Sequence, residues 1–155
     1  RQELKKKSRS VVYKRRLTLP YGRALDCLTG DCPWPETQIG REIGYAMDFY
    51  PDLEPRVFLS YERDSWYAPE SGLRITFDDA IRFRTADLTL DSDLWGTALL
   101  RPDQVLMELK APGAIPLWMV RLLTEMGLYK TSFSKYGTAY QILLEQEYKG
   151  GKRYA

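Results

Sequence analysis

Arg56-Val-Phe-Leu-Ser-Tyr-Glu-Arg-Asp-Ser-Trp-Tyr67 is followed by Pro69 to Gly72 and then by Leu73-Arg-Ile-Thr-Phe-Asp78. The first run is rich in residues that fit a pleated, half-buried surface: Val57, Phe58, Tyr61, Trp66 and Tyr67. The Pro/Gly stretch after it is turn chemistry. Two strand-prone runs around a short turn predict a β-hairpin, with Asp79 to Arg84 continuing the second strand irregularly. An antiparallel sheet is thus the expected frame of the chain.

Working outward, residues 2–19 read as two further strands broken at Ser8 to Ser10, and Gln104 to Lys110 as a short strand. Residues 86–103 read as loop with short strand pieces. Four segments carry helical signals. Arg23 to Leu28 stops at Gly30, and Thr37 to Tyr50 has Thr37 as its cap. Pro116 to Leu128 places Leu117, Val120, Leu123 and Met126 on one face, with Trp118 expected to pack beneath the helix. Tyr136 to Tyr148 is the last helix. Strands and helices do not alternate regularly, which predicts an α+β class.

The chain has 155 residues, enough for one core, and 1–149 reads as one domain with 150–155 as a flexible tail. No apolar run reaches the roughly 18 residues of a membrane span. It opens on Arg1 in charged sequence with no signal peptide, and reads as starting inside a longer protein. Lys and Arg total 23 against 21 Asp and Glu, a net charge of +2 that argues against a strongly basic nucleic-acid module. Histidine is absent, which removes Ser-His-Asp and Cys-His catalysis and histidine metal sites. Chemistry is left to carboxylates, lysines, arginines, hydroxyls and a hard cation held by oxygen. Cys27 and Cys32, with no second pair, read as free thiols of a reducing, cytoplasmic setting.

Alternation along each strand sorts the charges by face. One face collects Lys5, Lys7, Lys14, Arg16, Arg63, Arg74 and Lys110 against Glu3, Asp78 and Glu108, while Lys6, Arg9 and Arg15 point the other way. An exposed antiparallel sheet is also polar on one side, so a plain solvated face explains the alternation. The excess of bases in strongly apolar strands favours the second reading. If the sheet curls, those faces converge on a basic channel suited to a polyanion, where a carboxylate could hold a divalent cation bridging phosphates.

The segments Leu59-Ser-Tyr-Glu-Arg63, Leu73-Arg-Ile-Thr-Phe-Asp78, Leu106-Met-Glu-Leu-Lys110 and Phe133-Ser-Lys-Tyr136 together resemble the VTC domain, the polyphosphate polymerase domain of the triphosphate tunnel metalloenzyme superfamily. Glu3-Leu-Lys5, Tyr13-Lys-Arg-Arg16 and Pro116 with Trp118 fit the same order, so the likeness spans nearly the whole chain. It implies an antiparallel β-tunnel with packed helices. It also implies transfer of the ATP γ-phosphate to a growing inorganic polyphosphate chain, with Mn²⁺ or Mg²⁺. The alternatives are a triphosphate hydrolase of the same tunnel class and a non-catalytic polyphosphate- or nucleotide-binding module. Carried over by motif, Arg63, Arg74 and Lys135 are the catalytic and phosphate-binding residues, Lys5 and Lys14 further phosphate ligands, and Glu108 the metal ligand. Arg16 and Lys110 are neighbouring tunnel-facing bases.

The chain departs from the family pattern twice. No basic strand and Arg-x-Arg strand precede Glu3, which implies a tunnel incomplete at its N-terminus or completed upstream. Ser132 stands where the polymerases carry a basic residue. For Arg63 the competing role is a salt bridge to Asp64 or Asp78. For Glu108 it is an ion pair with Lys110 or an arginine across the sheet. For Lys135 it is an ordinary surface position.

Overall fold

The computed structural model describes residues 2–8 and 11–151, without the side chains of 2, 5–8, 11, 12, 147 and 149–151. The chain is α+β with antiparallel sheets, and it divides into units of residues 1–54 and 55–155.

The first unit opens with the hairpin β1 (Gln2–Ser8) and β2 (Val11–Leu17), registered so that Glu3 faces Arg16 and Lys5 faces Lys14. Helix α1 (Tyr21–Thr29) ends where Gly30 turns left-handed at φ 86°, a conformation that favours glycine. Helix α2 (Gln38–Phe49) begins at Thr37, whose hydroxyl accepts the Gly40 N–H at 3.1 Å. A Cβ on Gly40 would fall 2.1 Å from the Pro35 carbonyl oxygen, so glycine is required there. Arg15, on the far face of β2, donates to Glu42 of α2 at 3.0 Å. Cys27 and Cys32 are free, their sulfurs 2.8 Å apart, and this contact pushes the Cys32 thiol up from its ordinary pKa.

The second unit is built on β3 (Phe58–Ala68) and β4 (Leu73–Arg84), the predicted hairpin. Its turn needs Gly72, at φ 64° and against Pro112, where a Cβ would meet the ring at 2.9 Å. Along the other edge of β4 run β5 (Thr97–Ala98), paired with Arg82 and Phe83, and β6 (Leu106–Lys110), paired with Arg74 to Asp78. Helices α3 (Leu117–Glu125) and α4 (Lys135–Gly151) follow. The expected tail beginning at 150 lies outside the described residues from 152 onward.

The irregularity expected after Asp78 has a cause. Ser60 pairs with Arg82, but Glu62 pairs with Asp79, so β4 carries one extra residue, and Ala80 sits there at φ 45°. The insertion swaps the alternation of β4. Arg74, Thr76 and Asp78 lie on one face below it; above it Phe83, opposite Leu59, lies on that same face, and the strip turns from polar to buried and apolar with Ile81 and Phe83. A left-handed alanine is strained. Ala80→Gly is therefore expected to raise stability by about 0.5–1 kcal/mol, read as a higher urea midpoint at unchanged slope.

Arg84 is 3% exposed and closes the upper end of β4. Its guanidinium lies 3.6 Å from the Phe58 ring centroid and donates to the carbonyls of Asp87, Asp93, Thr89 and Trp95 and to the Ser92 hydroxyl. Loop 87–95 thus folds around one buried cation.

Helix α3 buries a different face from the one expected. Met119 is buried and Leu123 half-buried, while Leu117, Val120 and Met126 are exposed. A strict spacing of three drifts about 60° per step on a helix of 3.6 residues per turn, whereas the i, i+4 pair Met119 and Leu123 keeps one azimuth. Trp118, expected beneath the helix, is 55% exposed.

Candidate functional site

Alternation and register on three strands write the site as rows across the sheet. Asp78 lies between Arg63 and Leu106, Thr76 between Ser65 and Glu108, and Arg74 between Tyr67 and Lys110. Arg63, Ser65, Arg74, Thr76, Glu108 and Lys110 line a cleft of about 190 Å³. A hydroxyl and carboxylate row therefore lies between two rows that carry the cations.

Asp78 organises one end of this face. Its side chain is 0% exposed and accepts from Arg63 Nε at 2.5 Å and Nη2 at 2.7 Å, and also from Lys135 Nζ. The forked Arg63 bond, then Lys135, hold the Asp78 carboxyl below the ordinary carboxylate range against the opposing effect of burial. Arg63 is correspondingly fixed in its charged form. Both cations also sit over the Tyr61 ring, at 5.0 Å and 4.5 Å from its centroid. Lys135 stands at the first turn of α4, where Ser134 Oγ accepts the Gly137 N–H at 3.1 Å. The motif residue is thus delivered to the sheet by a capped helix start.

The salt bridges weighed against ligand roles are both present: Arg63 with Asp78, and Lys110 with Glu108 at 2.9 Å. They do not consume the site. Arg63 uses Nε and Nη2 on Asp78, which leaves Nη1. Arg74 makes no ion pair among the described residues. Arg63, Arg74, Lys110 and Lys135 face two carboxylates, Asp78 and Glu108, so the second unit's face keeps a surplus of positive charge.

The sequence reading placed Arg63, Arg74, Glu108, Lys110 and Lys135 together, and the structure brings these five to one face. It weighed Asp78 as a salt-bridge partner of Arg63 and missed that the same carboxylate also holds Lys135, 57 residues along the chain. Lys14 and Arg16 lie on the first unit, both paired with Glu3, at 3.9 and 3.0 Å. The side chains of Lys5 and Lys7 lie outside the described residues.

A family model described as the VTC domain matches residues 2–144. The chain belongs to the VTC domain family. No curated protein and no solved structure matches it. Membership ties this VTC domain to polyphosphate-related function, and its cleft has the donors that such a ligand needs. No helix among the described residues is long and apolar enough to cross a membrane.

A divalent cation has a limited donor set in this VTC domain. No three His, Cys, Asp or Glu side chains come together so that they could hold a metal ion among the described residues. Glu108 is the carboxylate of the cleft, with the Ser65 and Thr76 hydroxyls in its row. One carboxylate with hydroxyls fits a hard cation that takes its other ligands from phosphate oxygens and water, as Mg²⁺ commonly does.

Proposed function

We propose that this VTC domain is a polyphosphate polymerase-like phosphotransferase that moves the ATP γ-phosphate onto inorganic polyphosphate. The observation that carries the reading is the cleft itself, with Arg63, Arg74 and Lys110 around Glu108, inside the family match. Arginine forks match phosphate oxygens, and lysine supplies a point charge. Arg63, Arg74 and Lys135 hold the reacting phosphates, and Lys110 extends the contact. On the first unit, Lys5, Lys14 and Arg16 are proposed as further phosphate contacts.

The reaction needs positioning and charge neutralisation more than covalent chemistry from the protein. The terminal phosphate oxygen of the chain is already ionised, so no tuned general base is required. It forms the new bond to the γ-phosphorus as the bond from that phosphorus to the β–γ bridging oxygen breaks, and the bases hold the charge that passes to the released ADP. Mn²⁺ or Mg²⁺, held by Glu108, would supply further charge neutralisation. A reducing, cytoplasmic setting is part of the same proposal.

The test is incubation of the protein with ATP and Mn²⁺, followed by sizing of the phosphate products. Long-chain polyphosphate from wild type, and a loss of about 10-fold or more in Arg74→Ala, is the expected outcome. Free phosphate without polymer would assign the hydrolase, and tight binding without turnover the non-catalytic module.

A further inference from the structure

Thr76 Oγ1 is buried and has no hydrogen-bond partner among the described residues. A buried hydroxyl without a partner costs free energy, and most such groups are satisfied. Its neighbours narrow what can complete it. Thr76 lies opposite Ser65 on one side and Glu108 on the other, and directly opposed residues keep their Cβ atoms about 4.5–5.5 Å apart. Of these two, Glu108 is the strong acceptor. It turns instead along its own strand to Lys110, at 2.9 Å, in a pair whose side chains are 58% and 44% exposed for Lys110 and Glu108. An exposed pair of this kind holds weakly. The Glu108 carboxylate is therefore lightly committed and stands beside a hydroxyl that lacks an acceptor.

We propose that Thr76 is the positioning residue that receives Glu108 when a polyanion takes Lys110. The Thr76 hydroxyl donates to one carboxylate oxygen, fixes Glu108 across the middle row of the cleft, and leaves the second oxygen for a divalent cation. Phosphate and cation binding are thereby coupled, because the anion that engages Lys110 frees the carboxylate that holds the cation. This rests on the phosphate-binding reading of the cleft.

The comparison is Thr76→Val, which removes the hydroxyl at nearly constant volume, against Thr76→Ser, which keeps it. Mn²⁺ is titrated by electron paramagnetic resonance at saturating tripolyphosphate, and tripolyphosphate is titrated calorimetrically without metal. Thr76→Val is expected to weaken Mn²⁺ about 10-fold, the scale of a residue that orients a metal ligand, with Thr76→Ser within about 3-fold of wild type. Metal-free tripolyphosphate affinity falls by less than the Mn²⁺ affinity does, by about 3-fold for the one hydrogen bond that Glu108 makes on release, and the melting temperature is unchanged or raised, because valine removes a buried hydroxyl that has no partner among the described residues. In a Glu108→Gln background Thr76→Val costs nothing further. Should Thr76→Val fail to fold, Thr76→Ala gives the same comparison. Wild-type Mn²⁺ affinity in Thr76→Val, or equal losses in the Val and Ser variants, overturns the role of Thr76 and leaves the phosphate reading standing. A wild-type protein that does not bind tripolyphosphate overturns that reading and this inference with it.

Discussion

Asp78→Ala is expected to lower folding stability by about 3 kcal/mol, the low end for breaking a buried ion pair because Arg63 remains partly exposed. The carboxylate is fully buried between two cations, and its removal leaves Arg63 and Lys135 facing each other over Tyr61 without a counter-charge. Asp78→Asn tests the charge at constant shape and is expected to lose most of the same energy. The effect has a pH signature. The folded pKa of Asp78 lies below its unfolded value of about 3.9, so the unfolded chain binds the proton first on acidification. The stabilisation is complete above about pH 5 and is lost as pH falls through the folded value. Wild type should therefore lose melting temperature steeply below about pH 4, while Asp78→Asn starts lower and falls less. Parallel curves for the two proteins would refute the assignment.

The second large effect belongs to Arg84. Replacement by Met is expected to cost about 3–4 kcal/mol, because four loop carbonyls and the Ser92 hydroxyl lose a common donor inside the protein. Arg84→Lys should rescue little. An ammonium has three donors on a point, while the acceptors are spread around a planar fork stacked on Phe58. Urea unfolding gives the stability, and limited proteolysis within 87–95 gives the local consequence. Wild-type stability in Arg84→Lys would mean that the loop is held by something else.

The hairpin at 56–84 was legible because strand propensity, turn residues and alternation agree over its whole length. Thr37 as a cap and Gly30 as a stop were legible because capping is local chemistry. The bulge at Ala80 was not, since alanine carries no signal for a left-handed backbone; only the register with β3 reveals it. The face of α3 was misjudged because a run of i+3 spacings walks around the helix. For the site, alternation sorted Arg63, Arg74, Glu108 and Lys110 onto one face without any knowledge of pairing. What alternation cannot supply is registry, and registry chose Asp78 over Asp64 as the anchor of Arg63 and made Thr76 the neighbour of Glu108. Arg84 was equally hidden, because a basic residue at a strand end reads as exposed until the loop carbonyls that surround it are placed.

The central claim is that the Arg63, Arg74, Glu108 and Lys110 cleft binds phosphate chains. Calorimetric titration of tripolyphosphate into wild type and Arg74→Ala tests it most directly, because Arg74 has no ion pair among the described residues whose loss would disturb the fold. The account predicts one-site binding by wild type, a loss of about 10-fold or more in Arg74→Ala, and equal melting temperatures for the two unliganded proteins. Equal affinity in both proteins, or no binding by wild type, would contradict it.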